Sequence, residues 1–486
     1  MVESAGDRRR IGVIQSVCPE CLNVIPAEKV VCEDGIYLEK TCAEHGNYKT
    51  LIWEGSLESY EAWGSDLQPA DKLEKTHQVQ KGCPYDCGLC EAHERRGCCV
   101  LLEVTSRCNL NCPVCFAQAG GPESLDVPME ELKKQMEHLM SHGGPFNLQI
   151  SGGEPTVRDD LPKIIQMGRE KGFTFFQLNT NGLRLAEEAG YAQKLKETGL
   201  SCVFLQFDGL SDEVYRVLRG RPLWEKKQAA IDACERAGLG VVLVPVITPG
   251  VNEDQVGAIL SYGISRMPVV RGVHFQPISY FGRCLQAQGS YRITIPKLLR
   301  LIEEQTNGQM RTEDFTGGNA TNPYCTFQGN YLRQEDGSMQ PMLHGTARAY
   351  ATSEQARAFV ARQWRGPEGS CCSEEPSDTC CCGTIQPSGS ESTCCCGSDS
   401  SNADSGCSCC GEDTAQMQLD TSSLDEFLIK RHNNTFAVSG MLFQDACNLD
   451  LERLRRCYIL ETDSRYGMVP FCAYNMTSIK GKALYR

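Results

Sequence analysis

The stretch Cys108-Asn-Leu-Asn-Cys112-Pro-Val-Cys115-Phe116 decides the fold and the chemistry that this sequence predicts. It follows VLLEVT (100–105), an aliphatic and β-branched run that predicts a strand. Three thiolates on one tight loop can hold three irons of a [4Fe–4S] cube, and the fourth iron then lacks a protein ligand. A small molecule can chelate that open iron, so the spacing predicts a catalytic cluster rather than one used only for electron transfer. The alternatives are a zinc site or a fortuitous group of cysteines.

The residues around this loop alternate between strand and helix patterns from Val100 to about Met310. Apolar residues recur at helical spacing between Met129 and Met140. Six strands, each followed by a helix or loop, predict a parallel sheet with right-handed crossovers. Six units fall short of the eight of a closed barrel, so the fold class expected is α/β, a partial (β/α)6 TIM-like barrel. The candidate strands are 100–105, 146–150, 174–179, 202–208, 240–247 and 272–278, and the other candidate helices are 159–171, 184–198, 224–237 and 252–262.

Polar loops follow the next three strands, at the edge where α/β barrels place their active sites. In Ser151-Gly-Gly-Glu-Pro155 two glycines allow the backbone to approach a ligand, and the carboxylate can accept a hydrogen bond from an ammonium group. An Asn-Thr-Asn-Gly segment (179–182) follows the third strand, where a simple Asn-Gly turn is the alternative. The candidate cofactor-binding residues are Phe116, Gly152, Gly153, Glu154, Asn179, Asn181 and Asp208.

A second kind of cysteine pattern lies near the amino terminus. Cys18-Pro-Glu-Cys21 and Cys42-Ala-Glu-His45 flank GIYLEK (35–40), a probable hairpin strand. Two such pairs predict one tetrahedral metal site, and their spacing does not distinguish zinc from mononuclear iron. Cys32 lies between the pairs and is not expected to be a ligand.

Two further groups of cysteines are candidates for fully ligated clusters. Such clusters have no open iron, so they would deliver electrons or support the structure. Structural zinc is the alternative for the first group, in which Cys99 could replace Cys98, and buried inert thiols are the alternative for the second. The first group is Cys83, Cys87, Cys90 and Cys98, and the second is Cys325, Cys447, Cys457 and Cys472.

The composition limits the kinds of binding partner and the cellular location that we expect. The chain has 486 residues and a net charge of −14, which argues against a nucleic-acid partner because such binding needs a basic surface. No apolar run reaches the roughly 18 residues of a transmembrane helix. The apolar stretch after Arg10 is too short for a secretory signal, so we expect a cytoplasmic protein with reduced cysteines.

The segment 366–412 is rich in Gly, Ser and Cys and has too few apolar residues to bury a core. Eleven of the 30 cysteines lie between Cys371 and Cys410. We expect a disordered, thiol-rich insert. It is either a flexible linker or an arm that binds soft metal ions or exchanges disulfides.

The Cys108–Cys115 motif resembles that of the radical S-adenosylmethionine (SAM) superfamily, and the partial barrel agrees with its fold. The resemblance implies that the amino and carboxylate groups of SAM occupy the open iron. An electron from the cluster then cleaves the sulfonium, giving methionine and a 5′-deoxyadenosyl radical that abstracts hydrogen from a substrate. It also implies that Gly152, Gly153 and Glu154 correspond to the superfamily's GGE motif beside the SAM amino group.

The order of the motifs is similar to that of a narrower family, the archaeal tetraether lipid synthases and their relatives, some of them assigned as pterin methyltransferases. CPEC (18–21), GCPYDCGLC (82–90), DLERLRRC (450–457) and PFCAYN (470–475) carry this resemblance. It implies a rubredoxin-like site, auxiliary [4Fe–4S] clusters, a low-potential donor such as ferredoxin or flavodoxin, and a lipid or small-molecule substrate. Two features depart from it: 316–322 has no cysteine, and the insert looks more like those of TrsS-type radical SAM (seleno)proteins.

These patterns predict an enzyme, a transferase or oxidoreductase, that abstracts hydrogen at an unactivated carbon before methylation or C–C bond formation. The alternatives are an electron-transfer or metal-carrier protein and a peptide-modifying maturase. A mere carrier needs no SAM pocket. The predicted domains are a metal-binding module (1–75), a cluster segment (76–99), the barrel (100–310), a post-barrel segment (311–365), the insert (366–415) and a C-terminal cluster module (416–486).

Overall fold

The computed structural model describes residues 8–64, 79–88, 90–284, 292–318, 322–342, 353–367 and 422–486. The predicted cysteine-rich insert between Cys371 and Cys410 lies outside these ranges. The chain divides into two compact units, 1–367 together with 432–486, and 368–431. Of the second unit, only the last ten residues are described, and they belong to a helix.

The first part of the described chain is a small antiparallel sheet, and its order is the order of the sequence. The turns after the first and third strands lie at the same end of the sheet, because consecutive strands run in opposite directions. The predicted cysteine pairs occupy these two turns. The strands are β1 (Arg9–Val17), β2 (Val24–Cys32), β3 (Gly35–Cys42) and β4 (Gly46–Glu54), and helix α1 (Leu57–Gly64) follows.

The six predicted parallel strands of the barrel are all present, each within a few residues of its expected position. They hydrogen-bond in sequence order, and a short extra strand pairs with the last of them. The strands are β5 (Cys99–Thr105), β6 (Asn147–Gly152), β7 (Phe176–Thr180), β8 (Cys202–Gln206), β9 (Gly240–Val244), β10 (Val246–Ile247) and β11 (Val270–Pro277). The helices are α2 (Met129–Ser141), α3 (Leu161–Glu170), α4 (Leu183–Glu187), α5 (Tyr191–Thr198), α6 (Asp212–Arg219), α7 (Trp224–Arg236) and α8 (Val256–Ser265).

The chain then returns to both edges of this sheet. One added strand pairs in parallel with β11 (Gly272 opposite Ala437), and another with β5 (Cys99 opposite Ile459). The wall of the partial barrel is therefore built partly from the C-terminal region. The elements are α9 (Ile295–Gln305), β12 (Thr316–Gly317), β13 (Thr326–Arg333), β14 (Met339–Pro341), α10 (Ser353–Trp364), α11 (Ser422–Asn433), β15 (Thr435–Met441), α12 (Leu451–Arg455), β16 (Ile459–Asp463), β17 (Gly467–Pro470) and α13 (Phe471–Tyr474).

Side-chain alternation separates the two faces of the barrel wall. In β5, Val100, Leu102 and Val104 belong to the core shared with the outer helices, for example with Leu132 of α2. Leu101 points to the other face and borders a cavity inside the barrel. This period of two is what a half-buried strand requires. Among the described helices, none combines the length and apolarity needed to cross a membrane.

Candidate active site

The loop that carries Cys108, Cys112 and Cys115 follows β5 and is held in place by the segment after β11. The backbone groups of Cys115 and Arg283 exchange two hydrogen bonds, of 2.7 and 3.0 Å. The Arg283 guanidinium donates through Nε to the carbonyl of Cys112 (2.7 Å) and through Nη2 to that of Ala119 (3.2 Å). Cys112 and Cys115 are therefore held by contacts from the segment after β11, the last parallel strand of the barrel.

All three thiols border a cavity of about 400 Å³ inside the barrel. Burial raises the pKa of the Cys108 thiol to about 12 and also raises the pKa of Cys112. The backbone N–H of Leu110 donates to Cys108 Sγ at 3.4 Å and opposes that rise. Thiols with raised pKa values are protonated at neutral pH, so binding a metal here would displace protons. Three sulfur donors on one loop fit three corners of an iron–sulfur cube.

The Ser151–Pro155 motif lies directly beside this loop. A Cβ atom on Gly153 would overlap the carbonyl oxygen of Arg107, and Gly152 has a φ of +127°, so both positions require glycine. The buried carboxylate of Glu154 accepts from Thr156 N (3.1 Å), Thr180 Oγ1 (2.7 Å) and Asn181 N (2.7 Å). Glu154 thereby joins the end of β6 to the end of β7.

Three other predicted cofactor-binding residues also border the cavity. Asn181 Nδ2 donates to Asn109 Oδ1 of the cluster loop at 2.7 Å. Asn179 Oδ1 accepts from Gln177 Nε2 at 2.8 Å. Phe116 packs against Phe471 with a centroid separation of 5.5 Å. These side chains surround the space in front of the three cysteines.

Asp208, a predicted cofactor-binding residue, does not border the cavity. Its carboxylate is fully buried, pairs with the Arg219 guanidinium through two hydrogen bonds (2.6 and 2.8 Å), and is not part of the cavity wall. Arg219 borders the cavity and donates to the carbonyl of Val114 within the cluster loop at 3.1 Å. Asp208 therefore supports an arginine beside the cysteines. Arg219 was not predicted as a site residue, because helix α6, which carries it, was not expected from the sequence.

A second buried basic residue, Lys227, was also not predicted from the sequence. Lys227 of α7 donates through Nζ to the carbonyl of Asn181 (2.6 Å) and to Gln206 Oε1 (2.8 Å). Burial lowers the pKa of Lys227 to about 7, although Asp208 opposes the shift. The lysine thus connects the ends of β7 and β8 beneath the cavity.

The cavity runs the length of the barrel. At one end it is bordered by the three cysteines, and at the other by residues of α10 that include Ala356, Phe359 and Trp364. Among the residues that the structure describes, the charged ones on its wall are Glu154 and Arg219, both near the cysteines. Neutral side chains line the remainder, in particular Leu101, Gln149, Gln177, Phe204, Val244, His274, Gln276, Phe327, Gln328 and Phe443.

The amino-terminal sheet carries a separate metal-binding group. One ligand atom from each of Cys18, Cys21, Cys42 and His45 lies within 4.8 Å of the others. Burial opposes ionisation of Cys18, but hydrogen bonds from the backbones of Cys21 and Glu20 lower its pKa to about 7. The structure brings these four predicted ligands together at the shared end of the β1–β4 sheet. Cys32, as expected, is outside the group.

Cys83, Cys87 and Cys90 border a common small cavity together with His93. Cys98 does not border it. The thiol of Cys99 donates to Cys98 Sγ at 3.8 Å, and both residues lie on the wall of the large barrel cavity. The structure therefore does not bring Cys98 to this group, because β5 begins at Cys99 and directs the chain into the barrel.

Cys325 and Cys457 both act on the thiol of Cys472. Burial raises the pKa of Cys472, and the thiols of Cys457 and Cys325 raise it further. Cys457 also raises the pKa of Cys87, after the larger effects of burial and of Cys90.

Cys447 has different neighbours. Burial raises the pKa of its thiol, as does the carboxylate of Asp445, whereas Arg292 and Lys40 oppose the shift. Cys447 in turn raises the pKa of Cys284, which burial and Asp445 also raise. Cys284 was not among the candidates from the sequence.

Comparison with known proteins agrees with this geometry. The family model of the radical SAM superfamily matches residues 102–262, and that of the HMPTM N-terminal zinc ribbon domain matches residues 11–54. The 7,8-dihydro-6-hydroxymethylpterin dimethyltransferase of Methanocaldococcus jannaschii is 35% identical over 480 residues, which are 95% of this chain and 92% of that protein.

Other relatives match a smaller part of the chain. The GTP 3′,8-cyclase of Paenarthrobacter nicotinovorans is 30% identical over 197 residues, covering 39% of this chain and 54% of that protein. The crystal structure of Streptococcus suis SuiB bound to the precursor peptide SuiA has a TM-score of 0.38 and 16% identity, covering 44% of this chain and 46% of SuiB. The chain is a radical SAM enzyme and belongs to the family of the M. jannaschii dimethyltransferase.

Proposed function

We propose that Cys108, Cys112 and Cys115 hold a [4Fe–4S] cluster whose fourth iron binds SAM. When bound, this pair supplies a 5′-deoxyadenosyl radical by reductive cleavage of SAM, and that radical abstracts hydrogen from an unactivated carbon of the substrate. The observation that carries the proposal is that the three thiols and the Gly152–Glu154 motif border one cavity. The residues present fit the group, since three sulfur donors share one loop beside the Gly152–Glu154 segment on the wall of the same cavity.

The surrounding residues would position the cofactor. The backbone at Gly152 and Gly153 lies open beside the cysteines, and Glu154 fixes the ends of β6 and β7 around the same space. Asn179 and Asn181 present amide groups toward it and are candidates for contacts with the ribose or carboxylate of SAM. Arg219 places a positive charge beside the loop, which would stabilise the anionic cluster and its thiolates.

The wall of the cavity supports an uncharged, elongated and mainly apolar substrate. A nucleoside triphosphate is unfavourable beside the described part of the wall, because Arg219, the cationic residue there, already pairs with Asp208. Aliphatic and aromatic side chains such as Leu101, Phe204 and Val244 follow the cysteines along the barrel, with glutamine amides between them. We therefore favour an alkyl chain, as in a lipid, as the site of hydrogen abstraction, followed by C–C bond formation or methylation.

A pterin is the second candidate. The dimethyltransferase of M. jannaschii carries 7,8-dihydro-6-hydroxymethylpterin in its name. The carboxamides of Gln149, Gln177, Gln276 and Gln328 lie on the cavity wall and could bind the edge of a neutral heterocycle. The pterin proposal rests on these amides, and the alkyl-chain proposal rests on the length and apolarity of the cavity.

Auxiliary clusters are part of the same proposal. Cys83, Cys87 and Cys90 would hold one, and Cys457 replaces Cys98 as the fourth candidate because it is the cysteine of the C-terminal part that acts on Cys87. Cys325 and Cys472 remain candidates for another, with Cys447 less closely associated. Electrons would come from a low-potential donor such as ferredoxin or flavodoxin. The group of Cys18, Cys21, Cys42 and His45 would bind zinc or iron.

The test uses anaerobically reconstituted protein with dithionite and SAM. Wild type is expected to form 5′-deoxyadenosine, and Cys115→Ala is not. Cys234→Ala is the matched control, because Cys234 is equally a cysteine but is buried in α7 away from the cavity. No 5′-deoxyadenosine above the level of Cys115→Ala would reject the proposal and favour an electron carrier.

The substrate is tested by isotope transfer. A lipid with perdeuterated alkyl chains is expected to place deuterium in 5′-deoxyadenosine, and 7,8-dihydro-6-hydroxymethylpterin is assayed in parallel for methylated product. Deuterium transfer from the lipid supports the alkyl-chain proposal, and a methylated pterin without it supports the second candidate. A crosslinked peptide product from a cell extract would support a maturase instead.

A further inference from the structure

Helix α10 lies across the amino-terminal end of the barrel strands, opposite the cysteine loop. Asn147, the first residue of β6, donates through Nδ2 to the carbonyl of Arg357 at 3.0 Å. Gly240, the first residue of β9, has no room for a Cβ atom because the carbonyl of Trp364 occupies that space. The Arg357 guanidinium donates to the carbonyls of Gly143 and Pro145, in the turn before β6.

The side of α10 that faces the barrel is a stripe at helical spacing. Five residues of the helix border the cavity, whereas Ala358 and Arg362 between them are exposed. This is the pattern of an amphipathic helix that covers an apolar space. Trp364 packs edge-on against Phe204 of β8, with centroids 5.8 Å apart. The stripe is Ala356, Phe359, Val360, Gln363 and Trp364.

The helix therefore forms one end of the active-site cavity, a feature that differs from a packed TIM barrel, whose interior is filled by side chains. The seven residues of β5 give a strand about 20 Å long, which sets the scale of the distance between α10 and the cysteine loop. The wall near the helix carries apolar groups, the thiols of Cys98 and Cys99, and the carboxamide of Gln363. A chain that enters beside the cysteines would end against α10.

We propose that the α10 stripe determines the length of alkyl chain that the enzyme accepts, with Ala356 and Phe359 as the specificity-determining residues. This inference rests on the proposed function, because it assumes that the chain lies along the barrel axis. Each methylene that fits inside the cavity increases affinity about fourfold, and a methylene that does not fit adds nothing or clashes. Affinity should therefore rise with chain length and stop at the length at which the chain meets α10.

The test measures binding of ω-bromo-1-alkanols of 8 to 18 carbons, delivered from cyclodextrin, to the full chain reconstituted with its clusters and SAM. A terminal bromine that reaches the helix quenches the fluorescence of Trp364, and Trp364→Phe identifies that signal. Ala356→Leu fills space at the end of the cavity and is expected to shorten the longest chain bound tightly. Phe359→Ala opens space and is expected to lengthen it. Ala358→Leu, a matched control on the exposed face of the same helix, is expected to keep the wild-type limit.

The proposal is overturned by wild-type affinity that continues to rise with no limit up to 18 carbons. It is equally overturned by a limit that Ala356→Leu and Phe359→Ala leave unchanged, or by the same change in Ala358→Leu. If a variant does not fold, the wild-type series decides through Trp364, because a limit without quenching at the longest tightly bound chain also overturns the proposal. Formation of 5′-deoxyadenosine without alkanol is measured in the same samples. Its absence in wild type rejects the proposed function, whereas its presence without a chain-length limit rejects only the role of α10.

Discussion

At the scale of single residues, two arginines hold the cysteine loop, one through partly buried hydrogen bonds and the other through a buried ion pair. Arg283 ties the loop to the segment after β11, and the pair of Asp208 and Arg219 supports it from α6. The sequence predicted the cysteines and glycines of the site because their spacing is local. It gave no signal for Arg219, Arg283 or Lys227, because only the fold brings the first two to the cysteine loop and the third to the ends of β7 and β8.

The first expected outcome concerns Asp208→Asn. Asp208 is 0% exposed and Arg219 is 8% exposed, so removing the carboxylate leaves a buried arginine unpaired. Breaking such a pair costs about 3–5 kcal/mol. Urea unfolding should show a loss of that order, and the iron retained after reconstitution should fall.

Glu213→Gln is the control, because it breaks an exposed ion pair of the same helix. The side chains of Glu213 and Arg216 are 78% and 55% exposed, so the change should cost less than about 1 kcal/mol. Equal losses in both variants would contradict this account of Asp208.

The second expected outcome is a pH dependence from His274 on the cavity wall. Burial lowers the pKa of His274 to about 4, and its Nδ1 is 2.9 Å from Ser439 Oγ. Between pH 4 and 6.5 the unfolded chain therefore binds more protons at this residue than the folded one, and the free energy of unfolding rises with pH through that window. His274→Gln should lose stability less steeply than wild type as pH falls from 6.5 to 4 in urea titrations. Identical slopes would contradict the burial of an uncharged histidine here.

At the scale of elements, the active site depends on close backbone contact between the ends of β5 and β6. A Cβ atom on Gly153 would overlap the carbonyl oxygen of Arg107, just after β5. Gly153→Ala should therefore separate the loops after β5 and β6. Retained iron and SAM binding should both fall by about tenfold or more, in line with the roughly 1–3 kcal/mol cost of overpacking.

Gly121→Ala is the control, because nothing lies within 4 Å of a Cβ there. SAM binding by equilibrium dialysis and iron analysis check both. Wild-type SAM binding in Gly153→Ala would contradict the proposed position of SAM.

The elements of the barrel were largely predictable, and those around it were not. The strands and helices between Cys99 and Pro277 follow local hydrophobic periodicity, which a sequence displays directly. The pairing of β11 with β15 joins residues 165 positions apart, such as His274 and Ser439, and no local pattern encodes it. The sequence of helix α10 shows its apolar stripe, but only the fold shows that this stripe covers one end of the barrel. Cys98 is close to Cys90 in sequence, yet the start of β5 takes it into the barrel.

At the scale of the whole molecule, the enzyme combines a radical SAM barrel with a metal-binding sheet at the amino terminus. Lys29 of β2 pairs with Asp450 at 2.8 Å, and Lys40 of β3 donates to the carbonyl of Ala446 at 2.7 Å. These contacts connect the sheet to the C-terminal part of the same unit. The sheet therefore has a fixed position relative to the cysteines at 447–472.

The amino-terminal metal site should be separable from the cluster chemistry. Cys42→Ser removes one of four ligands and is expected to lower the bound zinc or mononuclear iron by about one ion per chain, because such sites need four donors. Cys32→Ser, a cysteine of the same sheet outside the group, should retain the ion. Metal analysis by mass spectrometry measures both variants. Loss of the ion from Cys32→Ser, or its retention in Cys42→Ser, would contradict the assigned ligands.

The central claim is that the iron–sulfur cluster at Cys108, Cys112 and Cys115 has an open iron that SAM occupies. Electron paramagnetic resonance of the anaerobically reduced protein, recorded with and without SAM, tests it most directly. The account predicts that SAM changes the spectrum of one cluster and that this responsive signal is missing when the three cysteines are replaced by alanine. Spectra that SAM leaves unchanged, or a responsive signal that survives the triple replacement, would contradict it.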